Sequence, residues 1–454
     1  MTDDHGRTNL SPQNTWLVLI RNRVFGINRS QLLADSIKDM RWNSLAAFLL
    51  QDLWRFRADP ESQSFWRIPL RQFNNKYYLE APGDSTKPDI LVVSPFVAFP
   101  PTHGGAVRML HFIKALSEDF RVHLISDEGS AYSAASAAYY GLLASLHLID
   151  GRKEKSGLLA TRIERIHTHS HTVLREQLRM LIKAYRPRAV QIEYVELAGL
   201  VEGRDQETMW LLDAHDVLLS GTEEVSEADR HEWNLIKQFD GVLTCSPEDA
   251  KLLSRDNVFV VPNAADEETR PYVPSGGSRA LLFVGPFRSL QNLEGVSTFL
   301  ERVYQPLRED IGDLQLWIVA GKGGPESVRN NALFALPGVV LFDYVEDLRS
   351  LMDQCALTIN PLYGVRGSCL KVIESMRAGR VCVSTRQGAR GFVDSGLRPL
   401  IVVERIEDME SPVREALLDS VKRMSLECSS FEDLERFTWK HSGEQLRKVY
   451  RSLQ

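Results

Sequence analysis

Arg366-Gly367-Ser368-Cys369-Leu370-Lys371-Val372-Ile373-Glu374-Ser375-Met376-Arg377-Ala378-Gly379 reads as a glycine-bearing loop running into a helix. Lys371 stands in the first turn, and Glu374 follows three residues later on the same face. A strand-like run, Val381-Cys382-Val383-Ser384-Thr385, comes at once after it. A helix N-terminus presents unpaired backbone N–H groups and the positive end of a dipole. With a lysine beside it, such a terminus suits a diphosphate. A carboxylate one turn deeper suits ribose hydroxyls. The pattern is that of a nucleotide-diphosphate site, and it is not a Walker loop, because no Gly-Lys-Ser/Thr is present.

Outward from this stretch, strands and helices alternate. On the N-terminal side, Ala280–Val284 reads as a strand, Gly295–Leu307 as a helix, Leu314–Ala320 and Val339–Phe342 as strands, Leu348–Cys355 as a helix and Leu357–Ile359 as a strand. Residues 270–279, with Pro271, Pro274, Gly276 and Gly277, read as a linker. Before it lies a second alternating half. Its strands are Ile90–Val93, Val122–Ile125, Ala189–Ile192, Trp210–Asp213, Gly241–Thr244 and Val258–Val261. Gly104-Gly105 opens a helix, and a long helical stretch runs up to Leu181. Short apolar strands between helices imply parallel sheets covered on both faces. The expected fold class is α/β, with two doubly wound parallel-sheet domains and ligands bound outside the carboxyl ends of the strands.

Residues 1–87 differ in kind. They are rich in arginine and aromatic residues, among them Trp16, Arg21, Arg23, Trp42, Trp54 and Trp66. Residues 29–57 show the three-four apolar spacing of a helix. Two readings stay open: a helical extension packed on the body, or a basic, aromatic surface for a membrane or partner protein. Residues 81–88 read as a linker.

The 454 residues carry a formal net charge of −6, which argues against a general nucleic-acid binder. No apolar run approaches the roughly 20 residues that span a bilayer. The acidic start Met1–His5 lacks a signal-peptide core. Cysteines 245, 355, 369, 382 and 428 show no CxxC spacing, which fits reduced thiols. The expectation is a cytoplasmic protein, with any membrane contact peripheral and at the inner face.

Six motifs in order resemble those of GT-B-fold retaining glycosyltransferases of glycosyltransferase family 4. They are Pro100–Arg108, Leu212–Asp216, Val261–Ala264, Phe283–Phe287, Asp343–Asp347 and Arg366–Gly379. The resemblance covers about residues 88–450. It implies an N-terminal Rossmann-like acceptor domain over 88–268 and a C-terminal Rossmann-like donor domain over 269–430. A last helix over 431–454 would cross back to the first domain; residues 1–87, outside the resemblance, are expected to form a mostly helical N-terminal extension. It also implies transfer of a sugar from a nucleotide-diphosphate sugar to a glycan or lipid-linked acceptor, in cell-surface polysaccharide biosynthesis. The anomeric configuration would be retained, with the donor phosphate deprotonating the acceptor. Many members have Glu-x7-Glu at the donor site. Here Arg366 replaces the first Glu and Glu374 is the second.

The candidate residues follow. Lys371, Arg288 and His215 are the expected catalytic groups: the two cations on the leaving phosphate, and His215, placed near the donor sugar by the resemblance. Gly285, Tyr344, Val345, Ser368, Cys369, Leu370, Lys371 and Glu374 are expected to bind the donor. His103, Gly104, Gly105, Arg108, Glu193 and Glu196 are the acceptor and phosphate-loop candidates. Metal is not expected: no Asp-x-Asp occurs in the chain, and His167, His169 and His171 lack an identifiable further ligand. No cofactor is expected beyond the nucleotide-sugar co-substrate. Two other readings remain: a degenerate GT-B module that binds nucleotide or sugar, and a nucleotide-sugar epimerase on the same fold.

Overall fold

The computed structural model describes residues 70–72, 76–80, 86–128, 139–149, 160–219, 226–267, 270–427 and 431–453. The helix expected over 29–57 lies outside them. In chain order the first elements are β1 (Leu70–Gln72), β2 (Lys76–Glu80), β3 (Asp89–Ser94), α1 (Gly104–Ser117), β4 (Arg121–Ser126) and β5 (Ser145–Ile149). Next come α2 (Arg162–His169), α3 (Thr172–Tyr185), β6 (Ala189–Glu193), β7 (Met209–Asp213), β8 (Gly241–Thr244), α4 (Pro247–Leu253) and β9 (Val258–Val260). The C-terminal part contains β10 (Ala280–Val284), α5 (Leu290–Phe299), β11 (Gln315–Val319), β12 (Val339–Phe342), α6 (Leu348–Gln354) and β13 (Leu357–Asn360). It continues with α7 (Leu370–Arg377), β14 (Cys382–Thr385), β15 (Leu400–Val403), α8 (Ser420–Glu427) and α9 (Trp439–Ser452).

The chain packs as two compact units. Of the described residues, one takes in those up to Pro100 together with those within 117–210; the other takes in 101–116 and those from Leu211 onward. In the first unit β5, β4, β3 and β6 are parallel neighbours, with Leu91 level with His123 and Val190. These strands are buried apolar runs, as a sheet covered on both faces requires. β2, which carries Tyr77 and Tyr78, instead pairs antiparallel with β5, Tyr78 level with His147, and β1 pairs antiparallel with β2.

One sequence expectation needs correcting here. The long helix expected up to Leu181 contains strand β5. It also breaks at Ser170-His171, where His171 caps α3 by accepting the Leu174 N–H at Nδ1 (3.2 Å). The other ring nitrogen, Nε2, lies 3.0 Å from Asp127 Oδ1. Both nitrogens of His171 are thereby engaged in shaping the chain, which takes it out of a metal-ligand role.

In the second unit β7, β8 and β9 are parallel, and a six-stranded parallel sheet runs in the order β12-β11-β10-β13-β14-β15. Leu281, Phe283, Phe299, Leu316, Ile318 and Val383 fill one face of this sheet. The helix read as starting at Gly295 starts at Leu290. Gly295 sits inside α5 because a Cβ there would meet the Pro361 carbonyl oxygen at 2.1 Å. This glycine permits close approach of helix and chain rather than marking an end. The last helix, α9, lies against α1 and the residues after β9. His111 stacks on Trp439 (centroids 4.6 Å apart), Gly443 faces Ala115, and Ser442 donates to the Pro262 carbonyl at 2.9 Å.

Candidate active site

The loop between β13 and α7 turns on Gly367, whose φ is +63°. A Cβ there would stand 2.3 Å from Asp216 Oδ1 and 2.7 Å from the His215 carbonyl oxygen. Only glycine allows both the left-handed turn and this approach. The loop delivers the chain to α7 with Cys369 at the N-cap, and Cys369 supplies no side-chain cap. Burial pushes its thiol up, so it packs as a neutral side chain against the core.

Lys371 lies in the first turn of α7, half-buried. Its Nζ donates to Asn292 Oδ1 at 3.0 Å and stands 4.4 Å from the centroid of the Phe283 ring. The Asn292 amide is itself held, because its Nδ2 donates to the Pro286 carbonyl at 3.0 Å. Gly285 leaves the space: a Cβ there would meet Lys371 Nζ at 2.7 Å. Burial lowers the pKa of Lys371, against the opposing pull of Cys369, Cys382 and Glu374. A desolvated ammonium of this kind gains most from an anionic ligand. Glu374 is shifted up by burial and by Asp266, with Lys371 acting the other way. It lines a cavity of about 330 Å³ shared with Asp266, Arg270, Leu348, Met352 and Arg377.

Helix α1 begins beside this site. A Cβ on Gly104 would lie 3.3 Å from Leu370 Cδ1, so the N-terminal turns of α1 and α7 are neighbours. His103 precedes α1, its Nδ1 3.4 Å from the Ala106 N–H. Burial lowers its pKa first, and the charges of Arg288 and His215 act in the same direction. Arg288 is exposed in the loop after β10. Gly105 stands in the first turn of α1.

Arg108 was expected to reach an acceptor, and it does not. It is 1% exposed. Its Nε and Nη2 donate to Asp213 Oδ2 and Oδ1 at 2.9 and 3.0 Å, and its Nη1 donates to the Val261 carbonyl at 2.8 Å and to Asn263 Oδ1 at 3.1 Å. A guanidinium so occupied is part of the frame. Asp213 also lies 3.8 Å from His215 Nε2. His215 is buried at φ +52°, a sparsely populated conformation for a non-glycine residue, and Cys245 donates its S–H to the His215 carbonyl at 3.0 Å. Asn263 Nδ2 donates onward to Ser368 Oγ at 3.0 Å.

The remaining candidates divide. Tyr344 is exposed, while Val345 packs against the cluster of Leu282, Val319 and Met352. Glu193 and Glu196 belong to the other unit. Glu193 is buried at the end of β6 and accepts from Gln191 at 2.6 Å; Glu196 stands in the helical turns that follow. Asn292 and Asn263 are site residues that sequence reading missed. Asn263 carried a signal as part of the Val261–Ala264 motif, which assigned it no partner. Asn292 carried none.

Residues 278–419 match the family of glycosyl transferases group 1. The matched stretch, from just before β10 to just before α8, is similar to that family's domain and contains the Arg366–Gly379 loop and helix. No curated protein matches the chain by sequence. Among solved structures, sucrose-phosphate synthase from Thermosynechococcus elongatus superposes with a TM-score of 0.62 at 16% identity, covering 80% of this chain and 99% of that one. Anabaena Alr3699/HepE, in complex with UDP and glucose, gives 0.58 at 13% identity over 80% and 100%. A glycosyltransferase from Rickettsia africae gives 0.58 at 12% identity over 81% and 99%. At such identities the likeness establishes the fold, which is GT-B. No helix among the described residues is long and apolar enough to cross a membrane.

Proposed function

We propose that this glycosyltransferase moves a sugar from a nucleoside-diphosphate sugar to a glycan or lipid-linked acceptor, with retention at the anomeric carbon and without a metal ion. The observation that carries the reading is the placing of Lys371 in the first turn of α7, its Nζ held by Asn292 in the space that Gly285 leaves, where Leu370 at the same helix terminus packs against Gly104 at the start of α1. UDP and glucose bound by the structurally similar HepE support a nucleotide-sugar donor.

Cleavage of the anomeric C–O bond puts positive charge on the sugar and negative charge on the leaving diphosphate. Stabilising that diphosphate is the main electrostatic task. Lys371 and the α7 terminus face it, and Arg288 adds a second cation. With Asp-x-Asp absent from the sequence, these groups take the part that a divalent ion plays elsewhere. Glu374, one turn deeper, accepts from the ribose hydroxyls. His215 contacts the donor sugar. The departing phosphate oxygen takes the acceptor proton, so no separate base is assigned. The product feeds cell-surface polysaccharide synthesis.

The test is the anomeric configuration of the product by NMR, with EDTA present throughout. A retained configuration supports the reading. Inversion, or activity abolished by EDTA and restored by a divalent ion, contradicts it.

A further inference from the structure

We propose that Arg108 is a positioning residue that sets His215 and the donor loop in register with one another. This rests on the donor-site reading above. Three segments far apart in sequence meet at its guanidinium: the end of β7 through Asp213, the turn after β9 through Val261 and Asn263, and, by way of Asn263, the donor loop at Ser368. Each link has a distinct geometric part.

The bidentate bond fixes both oxygens of Asp213, so the carboxylate that lies 3.8 Å from His215 Nε2 has one orientation. The bond to Asn263 Oδ1 settles which way that amide points. Its Nδ2 is thereby turned toward Ser368, 3.0 Å from Oγ and 3.4 Å from the carbonyl oxygen. Ser368 directly follows Gly367, which packs on the His215 carbonyl and Asp216. The path closes on itself: Arg108 reaches the His215 loop directly through Asp213 and again through the donor loop. A lysine has one charged nitrogen and cannot make the fork and the Asn263 bond together.

The role differs from plain packing in what it predicts. On the donor-site reading, Lys371 and Glu374 hold the nucleotide through α7 itself, whereas the Arg108 links end on the loop before it. A loosened Arg108 therefore misplaces the sugar-side groups while nucleotide binding persists. Small misplacements of this kind act on the chemical step.

The experiment compares the full-length wild type with Arg108→Lys, Asn263→Ala, Ser368→Ala and the Arg108→Lys/Ser368→Ala double variant. Three quantities are measured: thermal melting by circular dichroism, UDP and GDP affinity by calorimetry, and kcat for nucleotide release from the sugar donor that the wild type uses. Arg108→Lys is expected to lower kcat at least roughly tenfold while nucleotide affinity stays within about threefold. Ser368→Ala lowers kcat less, and adds nothing in the Arg108→Lys background, because the link is already broken.

Unchanged kcat in Arg108→Lys overturns the proposal. So does a fall in kcat matched by equal losses of nucleotide affinity and folded fraction. Where Arg108→Lys fails to fold, Asn263→Ala and Ser368→Ala decide by the same criteria. A wild type that neither binds nucleotide nor turns over a donor overturns the donor-site reading itself, and the proposal with it.

Discussion

Lys371 Nζ and Asn292 Oδ1 are 3.0 Å apart, and the asparagine that receives the ammonium is anchored at its other end to the Pro286 carbonyl. A flexible four-carbon side chain is thus aimed before any ligand arrives. Asn292→Ala removes the aim and keeps the charge. Nucleotide affinity is expected to fall roughly tenfold, or ~1.4 kcal/mol, by calorimetry. An affinity equal to wild type would show that Lys371 needs no support.

Gly367→Ala combines two penalties, a φ of +63° and a Cβ pressed against Asp216 and the His215 carbonyl. Gly396 has φ +72° and nothing within 4 Å of a Cβ, so Gly396→Ala reports the backbone penalty alone. That control is expected to cost about 1 kcal/mol in urea unfolding. Gly367→Ala is expected to cost more and to abolish donor turnover. Equal costs would mean that the His215 loop yields to the added methyl.

Glu374 gives the site an acid limit. Its carboxyl titrates above the ordinary glutamate value of 4.5, chiefly through burial. The ionised form is the one that accepts from ribose hydroxyls. Nucleotide affinity is therefore expected to fall with acidification, with a midpoint above 4.5. Glu374→Gln should bind more weakly at neutral pH and lose this dependence. A variant retaining the same acid midpoint would assign the titration to another group.

His111 makes the packing of α9 sensitive to acid. Burial beneath Trp439 lowers its pKa from 6.5 to about 4, although Asp266 pulls the other way. The unfolded chain then holds more protons than the native one between these values. Stability rises with pH across that window and is lost as pH falls from 6.5 toward about 4. His111→Phe, which keeps the ring stack, is expected to flatten the slope of urea-unfolding stability with pH. The same slope in the variant would place its origin elsewhere.

Much of the fold was legible because parallel strands buried on both faces appear as short apolar runs, and Ile90–Val93 and Ala280–Val284 are of that kind. β5 was harder to see. Ser145-Leu146-His147-Leu148-Ile149 places a histidine among apolar residues, which breaks the run. α7 and Lys371 could be read because loop, cation and carboxylate are contiguous. Arg108 could be named but not understood. Its partners Asp213, Val261 and Asn263 lie more than 100 residues away, and nothing local distinguishes a ligand-facing arginine from a buried one. Asn292 was invisible for the same reason: its meaning comes from Lys371, 79 residues later.

The most direct test of the central claim is nucleotide release from a panel of UDP-, GDP- and dTDP-sugars in EDTA, wild type against Lys371→Ala. The account predicts release from one donor by the wild type, with the variant losing both turnover and nucleotide affinity. Equal release and equal affinity in Lys371→Ala would contradict it and move the donor site away from Arg366–Gly379.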